Sequence, residues 1–399
     1  MNFVVIGITD HPQPFLTPDV MKVIQTSHHF SGGRRHHERV AHLLPTGAQW
    51  VDITIPLDNV FATYREIEAK TPDTQIVVFA SGDPLFFGFA NTLRQRMPHA
   101  TITLHAAFNS LQMLAHRLLM PYHDMRIVSL TGRPWQEFDR ALIEGAGKIG
   151  ILTDREHTPK AIAQRMMEYG YDDYLMHIGE HLGHPTQERV YTLTLDEAAT
   201  RDCQSPNCLI LTGNHQRRMG IPDAEFELLH GRERMITKMP IRLLSLQAMQ
   251  LHRRKHLWDI GFCTGSISIE ARLQHPHLDI TAFEIRPEGL ALMETNSRRF
   301  GAPGIRAIIG DFLECDITTL PRPDAVFIGG HGGRLKDIMQ RAASVLSPGG
   351  CMVMNAVTPN SVSEFKETCK ELGMTLLPPL HISINDYNPI DILTCEQPS

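Results

Sequence analysis

Residues 258–271 read WDIGFCTGSISIEA and determine the fold predicted for the second half of the chain. An apolar run of strand length leads into a tight turn with Gly261, Thr264 and Gly265, and a helical pattern begins directly after it. Glycines let the backbone pass close to a ligand, and the free N–H groups at a helix N-terminus favour a polar ligand. We therefore expect a cofactor at this turn, with Phe262 and Cys263 among its contacts.

Two later strand ends carry further landmarks. Glu284 ends the stretch ITAFE, where a carboxylate can accept hydrogen bonds from both hydroxyls of a ribose. Gly310, Asp311 and Phe312 follow the stretch IRAII, where an acidic side chain can meet the exocyclic amine of adenine. These positions predict an adenosine-containing cofactor. A nicotinamide dinucleotide stays open at this point, because dehydrogenases also place a glycine-rich turn after their first strand.

Short apolar runs alternate with amphipathic stretches of helical length along the whole chain. This alternation is typical of parallel sheets with crossover helices, so the predicted class is α/β. Helices are expected at 109–119 and 159–169. Strands are expected at 3–6, 51–55, 76–80, 101–104, 127–130, 149–152, 209–211, 257–260, 279–283, 306–309, 325–328 and 352–355.

The length of 399 residues is enough for two or three domains. The passage 216–234 is polar and charged and has no sustained apolar period, which is typical of a domain boundary. We therefore expect a first domain at 1–215 and a second at 235–399, joined by this passage as a linker. The five strands of the second domain predict one doubly wound sheet.

The composition excludes several classes of partner. With 38 basic and 44 acidic residues the net charge is −6, so no global positive field exists to hold nucleic acid. The seven cysteines are scattered and show no CxxC spacing, which favours reduced thiols and a cytoplasmic protein. We expect no signal peptide and no membrane-spanning segment, because the longest uncharged stretch contains several glycines and prolines.

A metal site is not predicted either. His177, His181 and His184 have the spacing of ligands on one helix face. Gly179 and Gly183 lie between them and disfavour a helix there. Surface or hydrogen-bonded histidines are the simpler interpretation.

The first half has a weaker ligand signal in VVFASGDPLFFG, residues 77–88. Gly82, Asp83 and Pro84 force a sharp exit from a buried strand, at the end of the strand where α/β sheets bind their ligands. Gly7 follows the opening strand. We expect a ligand to contact these four residues.

These motifs resemble known families. The landmarks from Gly261 to Phe312 are similar to those of class I methyltransferases, whose cofactor is S-adenosyl-L-methionine. The first half resembles the tetrapyrrole methylases, in which a GDP turn, a GGRRH-like segment and a serine after the fourth strand, here Ser110, recur. This resemblance implies that Ser110 contacts a second cofactor molecule together with Gly7, Gly82, Asp83 and Pro84. Further stretches such as ILTDREHTP, GEHLGHPTQERV and MITKMPIR extend the likeness over most of the chain. Together they resemble the two-domain family of precorrin-6Y C5,15-methyltransferases (decarboxylating), which act in cobalamin biosynthesis.

The resemblance implies a tetrapyrrole methylase fold of two α/β subdomains, followed by a Rossmann-like methyltransferase domain. It implies methylation of a precorrin, or of its cobalt form, at carbons 5 and 15 and loss of carbon dioxide from the ring C acetate. In that family Thr237 contacts the cofactor. The substrate carries many carboxylates, so Arg34, Arg35, Lys238 and Arg242 are candidate substrate-binding residues. A homo-oligomer is expected, and no catalytic acid or base is assigned.

Two positions depart from the family pattern. Thr9 and Cys263 stand where the family has glycines, so the local loops could be wider than usual. Two alternatives therefore stay open beside the methyltransferase: an NAD-dependent oxidoreductase, and a tetrapyrrole-binding carrier without catalytic activity.

Overall fold

The computed structural model describes residues 1–384 and 388–398. It divides into two compact units. The first consists of Met1–Arg133, Gly147–Gln164 and Tyr174–Gly213. The second consists of Pro134–Ala146, Arg165–Asp173 and Asn214–Ser399, of which Ser399 lies outside the described residues.

The first sheet has five parallel strands in the order β3-β2-β4-β1-β5. Its strand β1 reads NFVVIGI and is buried almost throughout, as expected for a parallel strand covered on both faces. The elements of this part are β1 Asn2–Ile8, α1 Pro18–Thr26, β2 His29–Gly32, α2 Arg34–Val40, β3 Gln49–Asp52, α3 Leu57–Lys70, β4 Gln75–Ser81, α4 Phe89–Arg96, β5 Thr101–His105 and α5 Ser110–Arg117.

The second sheet is mixed, with the order β6-β7-β10-β8-β9. Only the β6–β7 pair is parallel; β10 pairs antiparallel with both of its neighbours, and β8 with β9. The elements are β6 Arg126–Ser129, α6 Gln136–Ile143, β7 Lys148–Leu152, α7 Pro159–Glu168, β8 Tyr174–Glu180, β9 Arg189–Leu193, α8 Leu195–Thr200 and β10 Asn207–Gly213.

The third sheet has eight strands, in the order β13-β12-β11-β14-β15-β18-β16, with β17 also pairing β18. The first five are parallel, and β18 runs antiparallel to β15. The elements are α9 Met239–Met249, β11 His256–Ile260, α10 Ser266–Gln274, β12 Asp279–Glu284, α11 Glu288–Phe300, β13 Ile305–Ile309, β14 Ala325–Ile328, α12 Leu335–Val345, β15 Cys351–Ala356, α13 Pro359–Glu371, β16 Thr375–Leu376, β17 Leu380–Ile382 and β18 Ile390–Glu396.

The predicted α/β class is confirmed, but several elements differ from the expectation. The third strand ends at Asp52 and does not extend to residue 55. Ser31 and Gly32 belong to β2, which the sequence analysis did not predict. The expectation of parallel pairing throughout is wrong for the second sheet, because β8 and β9 form an antiparallel pair around the turn 181–188. The antiparallel β18 was missed as well.

The passage 216–234 is not a free linker. The N–H groups of Gly220 and Ile221 donate to the buried Glu270 carboxylate of α10, over 2.7 and 3.2 Å. The Glu227 N–H donates to the Asn296 side chain over 2.8 Å. These bonds hold the passage against the helices of the second unit.

No helix within the described ranges combines the length and the apolar character that crossing a membrane requires.

Gly7 lies where β1 and β4 end side by side. A Cβ atom at Gly7 would lie 1.8 Å from the Gly82 carbonyl oxygen and 2.8 Å from the Ala107 nitrogen, both of which are backbone atoms. Backbone atoms cannot move aside as a flexible side chain can. Gly7 is therefore required for the close approach of two chain segments.

We predict that Gly7→Ala lowers the free energy of unfolding by at least about 3 kcal/mol, because the clash forces the strand ends apart. Thermal and urea unfolding measure the change. Gly33→Ala is the matched control, since a Cβ at Gly33 lies at an ordinary distance of 3.6 Å from His36 Nδ1. A Gly7→Ala protein as stable as the Gly33→Ala protein would contradict the close packing described above.

Candidate active site

Two adjoining cavities open at the carboxyl ends of the parallel strands of the third sheet. The larger has a volume of about 520 Å³ and the smaller about 200 Å³. Gly261, Arg286 and Gly330 line both of them. The cavities lie where the direction of the strand order changes, beside β11, which is the position of ligand sites in open α/β sheets.

The turn 261–265 has the shape that a close ligand approach requires. Gly261 has φ +78°, and a Cβ there would lie 2.7 Å from the Gly330 nitrogen. Gly265 has φ +76°, and its Cβ would meet the Met293 sulfur at 2.6 Å. Cys263 has φ +50° and so keeps the left-handed backbone that a glycine would adopt. The loop was expected to be wider at Cys263. With this backbone it does not have to be wider to accommodate the cysteine side chain.

Three buried polar atoms in the larger cavity have no hydrogen-bond partner within the part of the chain that the structure describes. They are Asp259 Oδ1, Thr264 Oγ1 and Asn355 Nδ2. The other polar atom of two of these side chains is bound, because Ser268 Oγ donates to Asp259 Oδ2 and Ser245 Oγ donates to Asn355 Oδ1. Buried groups of this kind are normally satisfied, so they indicate a polar ligand in the cavity.

Asp259 titrates far from its usual range. Complete burial is the main cause that raises the pKa of its carboxyl to about 7, and the nearby Glu284 charge adds to the effect. Asp259 therefore changes charge near neutral pH, and a cationic ligand group would favour its ionised form.

Glu284 ends β12 and lines the smaller cavity, as predicted for a ribose-binding carboxylate. Its Oε2 accepts a hydrogen bond from the Cys263 N–H over 2.8 Å. Its Oε1 accepts from the Arg286 N–H and from the Arg286 guanidinium, over 3.0 and 2.9 Å. A carboxylate has about four acceptor positions, so one remains in this arrangement. The bonds fix the carboxylate against the ligand-binding turn.

Gly310, Asp311 and Phe312 also line the smaller cavity, together with His331. Asp311 accepts from the Leu313 N–H and from the Arg334 guanidinium, each over 2.9 Å. The ring of Phe312 packs against Phe283 at a centroid distance of 5.0 Å, so it forms an apolar wall. The structure thus brings all three predicted residues together with Glu284.

Thr237 and Lys238 line the larger cavity together with Phe262, Cys263 and Thr264. The Lys238 ammonium lies 3.7 Å from an Asp223 carboxylate oxygen and is partly exposed.

Arg242 was expected to bind the substrate, but its burial contradicts this expectation. Its side chain is 0 % exposed, and its guanidinium donates to Glu270, to the Thr237 carbonyl and to the Ile221 carbonyl. These partners bind the guanidinium inside the second unit, so it cannot reach a substrate carboxylate. Arg242 is a structural residue that ties the passage 216–234 to α10.

A separate cavity of about 410 Å³ lies in the first unit, at the carboxyl ends of β1 and β4. Gly82 and Ser110 line it, as predicted. Gly82 has φ +59°, and a Cβ there would lie 2.8 Å from the Asn109 Cα. Asn109 caps α5, since its side chain accepts from the Gln112 N–H over 2.9 Å.

Gly7, Asp83 and Pro84 do not belong to the cavity wall among the described residues. Gly7 permits the approach of Gly82. Asp83 Oδ1 accepts from the Leu85 N–H over 2.9 Å, and the Asp83 carbonyl accepts from the Phe86 N–H over 3.0 Å. The expected contact of these three residues with a cofactor stays a prediction.

Arg35 and His36 line the cavity with Ser81. Arg35 donates to Ser81 Oγ over 3.2 Å. The Gly33 N–H donates to His36 Nδ1, so the neutral ring carries its proton on Nε2, 2.9 Å from Ser81 Oγ. Burial, with the neighbouring Arg35 charge, lowers the pKa of His36 to about 4. Among Arg35, His36 and Ser81, the positive charge is therefore that of Arg35.

Arg34 does not share this position. Its side chain is 93 % exposed and its Nε donates to Glu38, one turn along the same helix, over 3.2 Å. Among the described residues, Arg34 is not part of the cavity wall. The geometry therefore gives no support to its expected contact with the substrate.

The three histidines with helical spacing, His177, His181 and His184, do not lie on a helix. His177 is on β8, with ring nitrogens 2.7 and 2.9 Å from the hydroxyls of Thr192 and Thr212. His181 Nδ1 lies 3.2 Å from Asp10 Oδ2. Within residues 1–384 and 388–398 no group of three or more His, Cys, Asp or Glu residues could hold a metal ion.

Comparisons with known proteins agree with this architecture. Residues 3–199 match the family described as Tetrapyrrole (Corrin/Porphyrin) Methylases, and residues 229–399 match the Precorrin methyltransferase domain. A Sinorhizobium protein named precorrin-6Y C(5,15)-methyltransferase [decarboxylating] is 32% identical over 99% of this chain and 93% of its own length. A Salmonella typhimurium cobalt-precorrin-6B C(15)-methyltransferase (decarboxylating) is 34% identical over 42% of this chain and 93% of its own length.

A solved structure of a Geobacter metallireducens precorrin-6y C5,15-methyltransferase has 30% identity and a TM-score of 0.41, over 45% of this chain and 97% of that one. The two family matches show that the chain combines a tetrapyrrole methylase fold with a methyltransferase domain. It belongs to the family of decarboxylating precorrin-6Y C5,15-methyltransferases, as its motifs predicted.

Asp259, Asn355 and Arg286 were not predicted as site residues from the sequence. A signal was present for the first two, because each is a polar residue near the carboxyl end of an otherwise apolar strand. Such a residue, buried on a strand that leads to a ligand site, indicates a functional group. Arg286 had no such signal, since its position depends on how Glu284 folds back on the turn.

We predict that Arg242→Met lowers the free energy of unfolding by about 3–5 kcal/mol, because it leaves the buried Glu270 carboxylate without its cation. Lys238→Met is the control and costs less than about 1 kcal/mol, since its ion pair is partly exposed. Chemical unfolding of both variants measures the difference. Equal losses would contradict the structural assignment of Arg242.

We predict that S-adenosylhomocysteine binds the second unit about tenfold more tightly at pH 8 than at pH 6. The pKa of about 7 leaves Asp259 mostly neutral at pH 6 and mostly ionised at pH 8, and only the ionised form attracts the ligand's ammonium. Titration calorimetry on the wild type and Asp259→Asn measures this. A wild-type pH dependence that persists in Asp259→Asn would contradict the assignment.

Proposed function

We propose that this protein transfers methyl groups from S-adenosyl-L-methionine to carbons 5 and 15 of a precorrin and removes carbon dioxide from its ring C acetate. The substrate is precorrin-6B or its cobalt form, and the product is the corresponding precorrin-8. The observation that carries this proposal is the buried polar constellation of Asp259, Thr264, Glu284 and Asn355 around the left-handed turn 261–265. Family membership supports it as well.

The residues of the second unit fit this cofactor. Glu284 would accept a hydrogen bond from a ribose hydroxyl at its remaining acceptor position, and Asp311 and the Phe312 ring would lie beside the adenine. Asp259, Thr264 and Asn355 supply unsatisfied buried atoms for the polar groups of an amino-acid tail. Gly261 leaves room where a Cβ would touch Gly330. An adenosine with a charged tail matches the two adjoining cavities and their polarity.

The bound cofactor supplies an electrophilic methyl group. The residues of the chain then have to align the substrate and exclude water, because the electron-rich bridge carbons of the macrocycle are the nucleophiles. The apolar walls formed by Phe262, Phe312 and Phe327 serve this exclusion. Thr237 and Lys238 lie on the same wall, where the lysine can bind a substrate carboxylate.

Decarboxylation requires a proton at the carbon that loses carbon dioxide. The carbon–carbon bond breaks, its electron pair enters the conjugated ring, and a proton then completes the methyl group. His331 lines the smaller cavity, and the Gly333 N–H donates to its Nδ1 over 3.3 Å. The neutral ring therefore carries its proton on Nε2. We propose that this Nε2–H group donates a hydrogen bond to the substrate, because a neutral imidazole is too weak an acid to supply the proton itself.

The first unit would methylate carbon 5, and the second would methylate carbon 15 and decarboxylate. The Salmonella relative supports this division, because its name gives only the carbon 15 and decarboxylating activities and it aligns to less than half of this chain.

We also propose domains at 1–215 and 235–399, a cytoplasmic location and a homo-oligomer. All seven cysteines are free thiols, which agrees with a reducing compartment.

The two alternatives lose their support. A nicotinamide-dependent oxidoreductase has no relative among those described, which are methyltransferases. The carrier hypothesis depended on the missing glycines at Thr9 and Cys263, and the turn keeps a left-handed backbone at Cys263.

We predict that Glu284→Ala abolishes methylation at carbon 15 and cofactor binding to the second unit, while methylation at carbon 5 continues. The truncation removes the proposed ribose acceptor and also frees the Cys263 and Arg286 N–H groups. Mass spectrometry and NMR of the products of precorrin-6B with methyl-labelled cofactor give the number and position of the added methyl groups.

Glu288→Ala is the matched control, since Glu288 is an exposed carboxylate in the first turn of α11. It should leave both methylations intact. Two methyl groups in the product of Glu284→Ala would refute the cofactor site, and none in the wild-type product would refute the proposed function.

A further inference from the structure

Six residues other than glycine have a left-handed backbone in the described ranges. Three of them occur where a chain reversal explains this: Asp73 in a surface turn, Leu119 just after α5 and Gln250 at the end of α9. The other three are Phe87, His181 and Cys263, and each lines a cavity. Strained conformations gather at ligand sites, so these three positions call for a functional reason.

Phe87 is the most unusual of the three. It has φ +53°, a conformation that a bulky side chain rarely adopts, and it immediately precedes Gly88, the N-cap of α4. Its ring is not stabilised by burial, because the residue is 46% exposed at the edge of the 410 Å³ cavity. The neighbouring Phe86 packs into the core of the first unit. The backbone strain therefore holds the Phe87 ring outside the core.

A guanidinium lies over the exposed ring. The Arg133 Cζ is 5.1 Å from the centroid of Phe87, and Arg133 Nη1 donates to Ser129 Oγ over 2.8 Å. The hydrogen bond holds the cation in place, while the rest of the residue is exposed. An arginine held in this way can stack on an aromatic ring and still bind a carboxylate.

The cavity has a second exposed ring, and a cation lines its wall. Phe108 lines the cavity and is 58% exposed. Arg35 lines it as well; it is bound to Ser81, and its Nε lies 3.9 Å from the carboxylate of Asp10, which also lines the cavity. The cavity entrance thus combines exposed aromatic surface with guanidinium groups. Large exposed apolar surface of this kind indicates a binding site, and the charges select an anionic partner.

We propose that Phe87 and Phe108 form the surface on which the macrocycle lies for the methylation of carbon 5, with Arg133 and Arg35 binding its peripheral carboxylates. This inference rests on the proposed function and names the substrate-binding residues of the first unit. A conjugated tetrapyrrole offers a flat face for aromatic contact and acidic side chains at its edge. The strain at Phe87 keeps the ring available to the substrate.

The test isolates the first unit by using Glu284→Ala as the background. In this background we compare Phe87→Gly, Phe87→Trp and Leu119→Gly, and measure kcat and KM for methylation of carbon 5 of precorrin-6B. Leu119→Gly is the matched control, because Leu119 is also an exposed apolar residue with a left-handed backbone, at φ +50° and 90% exposure, but it lies outside the cavity wall among the described residues.

We expect Phe87→Gly to raise KM about tenfold, because the aromatic contact is lost. Phe87→Trp keeps KM near that of the background. Leu119→Gly has no effect on KM. Both glycine variants should unfold at the same or a higher temperature than the background, since glycine relieves the strain. S-adenosylhomocysteine should bind the first unit of all variants equally.

An unchanged KM in Phe87→Gly would overturn the inference, as would an equal rise in KM for Leu119→Gly. If KM is as high in Phe87→Trp as in Phe87→Gly, the proposed aromatic contact would be contradicted. If the Glu284→Ala background itself fails to methylate carbon 5, the proposed function fails, and this inference fails with it.

Discussion

Asp259 is completely buried near the carboxyl end of β11, and one of its carboxylate oxygens has no partner among the described residues. A parallel strand that is covered on both faces cannot leave such a group unsatisfied without a cost in stability. The turn that follows therefore has to bring a ligand to it. Gly261 makes this possible, because the chain passes Gly330 at a distance that excludes a Cβ atom. The arrangement of the second unit depends on this constraint.

The first unit also has a backbone contact that excludes a Cβ atom, formed by different residues. There the close contact is between Gly7 and the Gly82 carbonyl, and the cavity lies beyond it. Its entrance carries exposed aromatic rings and guanidinium groups, whereas the cavities of the second unit contain buried carboxyl, hydroxyl and amide groups. The first unit thus has the clearer features of a surface for the macrocycle, and the second those of a site for the cofactor.

The sequence predicted the α/β class and most parallel strands, because their apolar runs are continuous and end in glycine or acidic residues. It did not predict β8, β9 and β18. The strands β8 and β9 have no continuous apolar run over their length, and β18 pairs with β15, which is distant in the chain. Glu284 and Asp311 could be placed at strand ends from spacing alone. Arg242 could not, because its burial follows from contacts with Glu270 and with the passage 216–234, and spacing does not reveal such contacts. The strain at Phe87 depends on backbone angles that no residue pattern indicates.

A crystal structure of the full chain with S-adenosylhomocysteine tests the central claim most directly. We predict that a ribose hydroxyl lies within hydrogen-bond distance of Glu284 Oε2 and that the amino-acid tail contacts Asp259. A ligand bound away from the turn 261–265, or a turn whose crevice is filled by side chains in the complex, would contradict it.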